Sequence, residues 1–350
     1  MRVVVVGASG NVGTSVLRSL ADEPAVESVL GLARRVPRAV FPKTEWRSAD
    51  IARSALRPHF DGADAVIHLA WLIQPGRDRD TLRAVNVDGS ARVFRAAAAA
   101  GVETLVYASS VGAYARGPKD RRVDESWPTT GIPSSFYSRH KAEVERMLDL
   151  FERDHPRMRV VRLRPGLVFK REAASGIRRL FAGPLLPNFL VRRSLIPVIP
   201  ASARLAFQAV HSHDVAEAYR LALVGDAAGA FNVAADPVLD TATLGRALGA
   251  RPLPVPERAL RAGASISFRL RLQPSEPGWV DMGLGVPLMD TARVHEELGW
   301  SPRHTATEAL SELLDGLRDG AGLDTPPLEP GGAGPGRLRE FASGVGARTG

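Results

Sequence analysis

The sequence predicts an α/β fold: a doubly wound parallel sheet with a smaller, mostly helical C-terminal lobe. Two observations carry this. A β-branched run, Val3–Val6, stops at a glycine turn and gives way to helical spacing. Strand-like and helix-like segments then alternate, with short connections, as far as Leu163. A composition of 45% hydrophobic and 24% charged residues over 350 positions fits one large domain or two smaller ones and excludes disorder along the whole chain.

In order, Val3–Val6 is the first strand and Val12 to Leu20 the first helix. Val29–Ala33, Thr44–Ser48 and Ala65–Ala70 are further strands, the last fully apolar apart from His68. Ala91 to Ala100 is an alanine-rich helix stopped by Gly101, and Thr104–Ala108 resumes as strand. Ala142–Phe151 has the helical pattern, and Arg159–Leu163 follows as strand. After Pro165, prolines at 184, 187, 197 and 200 break the pattern until Ala206–Val210 and Ala230–Val233, which are expected to rejoin the sheet. Thr241 to Leu317 reads as helical and proline-punctuated, most of the second lobe. Gly320–Gly350 collapses into Gly, Pro, Ala and Arg and reads as a disordered tail. The expected division is residues 1–165 with 206–235, then 166–205 with 236–318 as a substrate-binding lobe, then the tail from 319 to 350.

No apolar stretch approaches the roughly 20 residues that cross a bilayer. The run at Val3–Val6 is also too short for the roughly 7–15 residues of a secretory core. With no cysteine, disulfides, thiolate metal sites and cysteine nucleophiles are excluded, and a cytoplasmic location is expected. The net charge is +8, with only four lysines. Residues 151–204 hold twelve basic side chains against Glu152, Asp154 and Glu172, so this segment alone accounts for the excess. It could attract an anion, or it is a solvated arginine face. No helix-turn-helix, finger or aromatic-basic interleaving accompanies it, so nucleic acid is not an expected partner.

The turn Gly7-Ala8-Ser9-Gly10-Asn11-Val12-Gly13 spaces its glycines by three and three between a strand and a helix. Residues without Cβ let the backbone approach a pyrophosphate, which then lies on the positive end of the helix. This is the Rossmann-like dinucleotide signature. NAD binding normally adds a carboxylate at the end of the second strand for the ribose 2′-hydroxyl. Here Ala33 is followed by Arg34 and Arg35, which favours a 2′-phosphate and hence NADP over NAD.

Tyr137 and Lys141 stand four apart, on one face of a helix if the Ala142–Phe151 pattern extends backward. A phenol near pKa 10 is a poor base at neutral pH, and an adjacent cation stabilises its phenolate. His140, on another face, reads as structural. Ser109 and Ser110 end a strand at the carboxyl edge of the sheet, where ligands bind in such folds, and one of them can donate to a substrate oxygen.

These residues resemble the extended short-chain dehydrogenase/reductases, the NAD-dependent epimerase/dehydratase family, over roughly residues 1–316. The resemblance rests on the glycine turn, Asp50-Ile51, His68-Leu69-Ala70, Asn86-Val87-Asp88-Gly89-Ser90, Ser109-Ser110 with Tyr114, and Tyr137 to Lys141. Arg164 to Phe169, His211 to Ala216 and Glu297 to Pro302 match later family segments. It implies that Tyr137 is the general acid/base, that Lys141 holds the nicotinamide ribose and lowers the tyrosine pKa, and that Ser110 orients the substrate oxygen. Ser110 is preferred to Ser109 from its offset to Tyr114. It further implies that Gly7, Ser9, Gly10, Asn11, Val12 and Gly13 cradle the dinucleotide and that Asp50 and Ile51 contact adenine. Leu69 and Ala70 line the cleft, Asn86 supports it, and Pro165 to Val168 border the nicotinamide.

The implied activity is an NAD(P)-dependent oxidoreductase interconverting a secondary alcohol and a carbonyl. The rivals are an epimerase or dehydratase acting on a nucleotide sugar with a retained cofactor, and a catalytically silent NAD(P)-binding regulator. Sugar-nucleotide members commonly carry an Arg where Phe207 stands, which weakens that rival. Arg178, Arg179, Arg192, Arg193 and Arg204 lie in the segment that usually forms the substrate pocket, so an anionic small-molecule substrate stays open. Many relatives pair into homodimers.

Overall fold

The computed structural model describes residues 1–73, 77–181 and 197–329, the side chains of 179–181 excepted. The chain opens with β1 (Arg2–Val6), α1 (Asn11–Ala21), β2 (Ser28–Ala33), β3 (Thr44–Ser48), α2 (Arg57–Phe60) and β4 (Ala65–His68). Helix α3 (Arg79–Arg83) runs through a π-helical turn at Ala84–Asp88 into α4 (Gly89–Ala99), followed by β5 (Thr104–Ala108). Next come β6 (Arg122–Val123), α5 (Phe136–Asp154), β7 (Arg159–Pro165), β8 (Leu167–Phe169) and α6 (Ala174–Phe181). The remainder is β9 (Val198–Ala201), β10 (Ala206–His211), α7 (Ser212–Val224), β11 (Gly229–Val233), β12 (Ala235–Asp240), α8 (Thr241–Leu248) and β13 (Arg251–Pro254). It closes with α9 (Glu257–Arg269), α10 (Gly278–Gly285), β14 (Leu288–Met289), α11 (Ala292–Leu298) and α12 (Ala306–Asp319).

Seven strands form the main sheet in the order β11-β7-β5-β4-β1-β2-β3, all parallel, with the order reversing beside β1. Such a sheet must be covered on both faces, so its central strands read as continuous apolar runs. Val3 and Val5 enter one core with α1 and α7, while Val4 and Val6 enter the other with α4 and α5. The alternation follows from the two-residue period of a strand.

Three expectations are corrected. Ala206–Val210 is a strand, but it does not rejoin the main sheet: β10 lies between β8 and β12 in a separate three-stranded sheet under α12. Ala230–Val233 does join the main sheet, beside β7. The stretch from Thr241 to Leu317 is not wholly helical, since β13 pairs with β9, and Val294, Leu298 and Trp300 at α11 pack into the main-sheet core. The tail is ordered at its start. The Ser175 hydroxyl donates to Ala321 O, and Thr325 and Leu328 are buried. The part of that expectation covering 330–350 lies outside the described residues.

Candidate active site

At the carboxyl end of β1, Gly7 adopts φ +88, and a Cβ there would lie 2.6 Å from Ala70 N. A Cβ on Gly13 would lie 2.5 Å from Ala8 O, so that glycine lets α1 close on the strand. Ser9 and Gly10 complete the turn, with Gly10 N donating to Gly7 O. Gly10 caps α1 without a side-chain hydrogen bond, and the first turn of the helix carries no acidic residue. Among the described residues its leading N–H groups therefore lack a side-chain acceptor, which is the donor set an anion needs. Asn11 Nδ2 donates to Val168 O, tying the turn to β8, while Asn11 Oδ1 is buried without a partner among the described residues. Val12 packs against the core. These features fit a dinucleotide pyrophosphate.

At the adjoining strand ends, Arg34 and Arg35 are exposed beyond β2, and neither guanidinium is paired among the described residues. Asp50 caps its own turn by accepting from Ala52 N, and buried Ile51 lies where a Cβ on Gly89 would meet it at 2.9 Å. Leu69 N donates to Val6 O, holding the chain beside the glycine turn. Asn86, fully buried in the π-helical turn, clamps Leu72 from both sides, accepting from its N at 2.7 Å and donating to its O at 2.8 Å. π-Turns recur at functional sites, and this one aims Asn86 at the segment that follows Ala70. Pro165 ends β7, and Val168 lies in β8 beside Asn11.

Tyr137 and Lys141 lie one turn apart on α5, whose N-terminus is capped by Ser135. Lys141 is buried; its ammonium donates to Ala108 O at 2.6 Å and stands 3.5 Å from the Trp71 ring centroid, 5.1 Å from Tyr107 and 5.9 Å from Tyr137. Burial holds its pKa well below the ordinary lysine value, against the pull of Glu145. Burial raises the Tyr137 phenol, and a hydrogen bond with the Ser110 side chain draws it back. The two serines are distinguished here. Ser109 Oγ donates to Glu145 at 2.5 Å, whereas Ser110 Oγ accepts from Gly112 N and faces the phenol. A Cβ on Gly112 would lie 2.8 Å from Tyr137 Cε1. Only glycine leaves the phenol that room.

Several residues at the site were not identified from the sequence. Glu145, one turn beyond Lys141, is fully buried and accepts from Arg164 Nε and Nη2 at 2.8 and 3.0 Å and from Arg162 Nη1 at 3.0 Å. Burial would raise its pKa, but these guanidiniums win and hold it at about 2. Arg164 Nη1 also donates to Tyr114 Oη, which donates to Asn232. Lys170, with no exposed surface, donates to Asn11 O, Thr14 Oγ1 and Ser15 Oγ beneath the first turn of α1, and burial lowers its pKa to about 7. Trp71 and Trp279 flank Tyr137, with ring centroids 5.9 and 4.9 Å away.

Much of the basic excess of residues 151–204 is committed inside the protein. Arg159 donates to the carbonyls of Ala222, Leu223 and Ala227 at the end of α7, and Arg204 to those of Leu284 and Gly117. Arg178 lies on α6. The Arg179 side chain, and Arg192 and Arg193 entirely, lie outside the described residues. Phe207 packs beside the core formed by β10 and α12. His140 is buried, and burial lowers its pKa to about 4. Among the described residues no helix is long and apolar enough to cross a membrane.

Residues 3–234 match the NAD dependent epimerase/dehydratase family. The uncharacterized protein Rv0501 of Mycobacterium tuberculosis is 27% identical over 344 residues, covering 94% of this chain and 86% of its own. The NAD-dependent glucose-6-phosphate dehydrogenase of Haloferax volcanii is 33% identical over 184 residues, covering 47% of this chain and 67% of its own. Among solved structures, the UDP-glucose 4-epimerase of Thermotoga maritima with UDP-glucose superposes with a TM-score of 0.67 at 18% identity, covering 91% of this chain and 99% of that one.

Proposed function

The chain belongs to the NAD dependent epimerase/dehydratase family, and from that premise we propose that it is an NAD(P)-dependent oxidoreductase interconverting a secondary alcohol and a carbonyl compound. The observation that carries this reading is the meeting of Tyr137, Lys141 and Ser110 at the carboxyl end of the sheet that also presents the open glycine turn. The dinucleotide, when bound, supplies or accepts the hydride. Gly7 to Gly13 would hold its pyrophosphate, Asp50 and Ile51 its adenine, Arg34 and Arg35 a 2′-phosphate, and Leu69, Ala70, Asn86, Pro165 and Val168 the walls of its cleft. Arg34 and Arg35 after β2, unpaired among the described residues, with no carboxylate at Ala33, support NADP over NAD.

In reduction the Tyr137 phenol gives its proton to the carbonyl oxygen, and in oxidation it takes the alcohol proton. Ser110 donates a hydrogen bond to the same oxygen. Burial disfavours the charged form of each partner taken alone, but a phenolate and an ammonium formed together stabilise one another. Lys141 is thus the group that makes an ionised phenol accessible near neutral pH. Ala108 O and the Trp71 face supply the contacts that favour its protonated state.

A second reading, a nucleotide-sugar epimerase that retains its cofactor, draws support from the Thermotoga maritima structure, and Phe207 weighs against it. Tyr137→Phe tests the chemistry both readings share. Turnover should fall by about 10²–10⁴-fold while dinucleotide affinity, followed by fluorescence titration, stays within about threefold. Retained turnover would remove Tyr137 from its role.

A further inference from the structure

Lys170, directly after β8, has no exposed surface. Its ammonium donates to Asn11 O at 2.8 Å, Thr14 Oγ1 at 2.7 Å and Ser15 Oγ at 3.1 Å, all at the start of α1. Three neutral oxygens thus use its three donors, and among the described residues no carboxylate pairs with it directly. A cation there also opposes the helix dipole, whose positive end is the start of α1, and the first turn of that helix contains no acidic residue. Beneath the glycine turn, a buried positive charge is left unbalanced.

The ionisable groups around the ammonium do not balance it. Glu172 favours its charged form, but that carboxylate pairs with Arg18 of α1 at 3.4 Å, and Arg18 acts on Lys170 in the opposite sense. His213 on α7 is lowered to about 4, by burial first and then by His211, so it carries no charge at neutral pH. His211 and Asp214 are engaged with Glu312 and His304. Burial therefore wins and lowers the Lys170 pKa to about 7. The contact also shapes the turn: Thr14 Oγ1 accepts from the ammonium and donates to Gly10 O at 3.0 Å.

Resting on the dinucleotide reading of the glycine turn, we propose that Lys170 is a positioning residue for the cofactor, its buried ammonium serving, through the first turn of α1, as the resident counter-charge of the dinucleotide pyrophosphate. The pyrophosphate is common to NAD and NADP, so this contribution is independent of Arg34 and Arg35. Little water screens a buried ammonium, and its field therefore reaches beyond the oxygens it touches. The doubly negative pyrophosphate favours the charged form, so binding raises the lysine pKa from about 7 and draws a proton onto the amine. Dinucleotide affinity is accordingly highest below about pH 7, where the amine is already charged, and falls as pH rises above it.

The test uses the full chain and isothermal titration calorimetry in two buffers of different ionisation enthalpy, with NADPH and with NADH, which has no 2′-phosphate of its own to titrate. At about pH 7.5 the wild type should take up about half a proton or more per dinucleotide bound, and Kd should rise by about tenfold between about pH 6.5 and 8.5. Lys170→Gln keeps a hydrogen-bond donor and removes the charge. It should weaken both dinucleotides by about tenfold at about pH 6.5 and abolish the proton uptake, whereas a merely structural lysine would leave both unchanged. Unchanged affinity in Lys170→Gln, or wild-type uptake below about a tenth of a proton, would overturn the proposal and leave the dinucleotide reading standing. A wild-type chain that binds neither dinucleotide would overturn that reading and the proposal with it. Circular dichroism separates misfolding from lost binding, and the wild-type proton uptake keeps the test decisive if the variant unfolds.

Discussion

Replacing Glu145 by Gln is expected to be among the most destabilising single changes at the site. The carboxylate is fully buried and takes two hydrogen bonds from Arg164, one from Arg162 and one from Ser109. A glutamine keeps the shape but offers one oxygen and turns an NH₂ toward a guanidinium, donor against donor. Arg162 retains Asp149 and Glu152, whereas Arg164 loses its only direct ion-pair partner among the described residues and keeps just the more distant field of Glu125. Breaking a buried pair from one side costs about 3–5 kcal/mol, a large fraction of the roughly 5–15 kcal/mol that holds a typical protein folded. Urea unfolding should show that loss as a lower midpoint at unchanged slope. The pH dependence gives an internal check. The folded pKa, about 2, lies below the ordinary value of 4.5. The unfolded chain therefore binds the proton more readily, and this part of the stability is present above about pH 4.5 and is lost as pH falls toward 2. In Glu145→Gln that acid-sensitive part should vanish. A loss under about 1 kcal/mol, the range of an exposed pair, would refute the reasoning.

Two further outcomes follow from the geometry. The double variant Arg34→Ala/Arg35→Ala should weaken NADPH binding by about tenfold or more, the effect of losing a charged hydrogen bond, while NADH binding moves little; equal losses in a titration of both would reject 2′-phosphate recognition. Truncation after Gly320 should lower the melting temperature, because it removes Leu328, 3% exposed, and burying one such side chain stabilises by about 1.5–3 kcal/mol; an unchanged melting curve would mean that this contact contributes nothing in solution.

The parts of the fold that the sequence made legible are those where local rules suffice. Val3 to Val6, the glycine turn and α1 are contiguous, and the strand, the missing Cβ atoms and the helical period each have a local cause. Tyr137 and Lys141 were legible for the same reason, being one turn apart on a single helix. Glu145 was not, because an acid one turn beyond a lysine reads as an ordinary surface pair until the strand opposite it is known. The alternation of Arg162 and Arg164 in a strand of the main sheet was the available clue, since residues two apart face the same side. Trp71 and Trp279 lie far apart in the chain, and no periodicity links them. The strand at Ala206–Val210 was recognisable as a strand, yet its partners, β8 and β12, are fixed by long-range pairing that its own residues do not encode. The start of the tail misled because Gly and Pro dominate it, while its order depends on a few buried residues such as Leu328.

The most direct measurement is native mass spectrometry of the freshly purified chain, before and after dialysis against the competing dinucleotide. Net hydride transfer predicts a chain that is empty as purified or carries a freely exchanging dinucleotide and takes up one per chain on dialysis, and recognition by Arg34 and Arg35 predicts that NADP is retained in preference to NAD. A chain that binds neither dinucleotide would contradict the assignment of the glycine turn, and stoichiometric NAD that survives dialysis would contradict net redox turnover in favour of a site that recycles its own hydride.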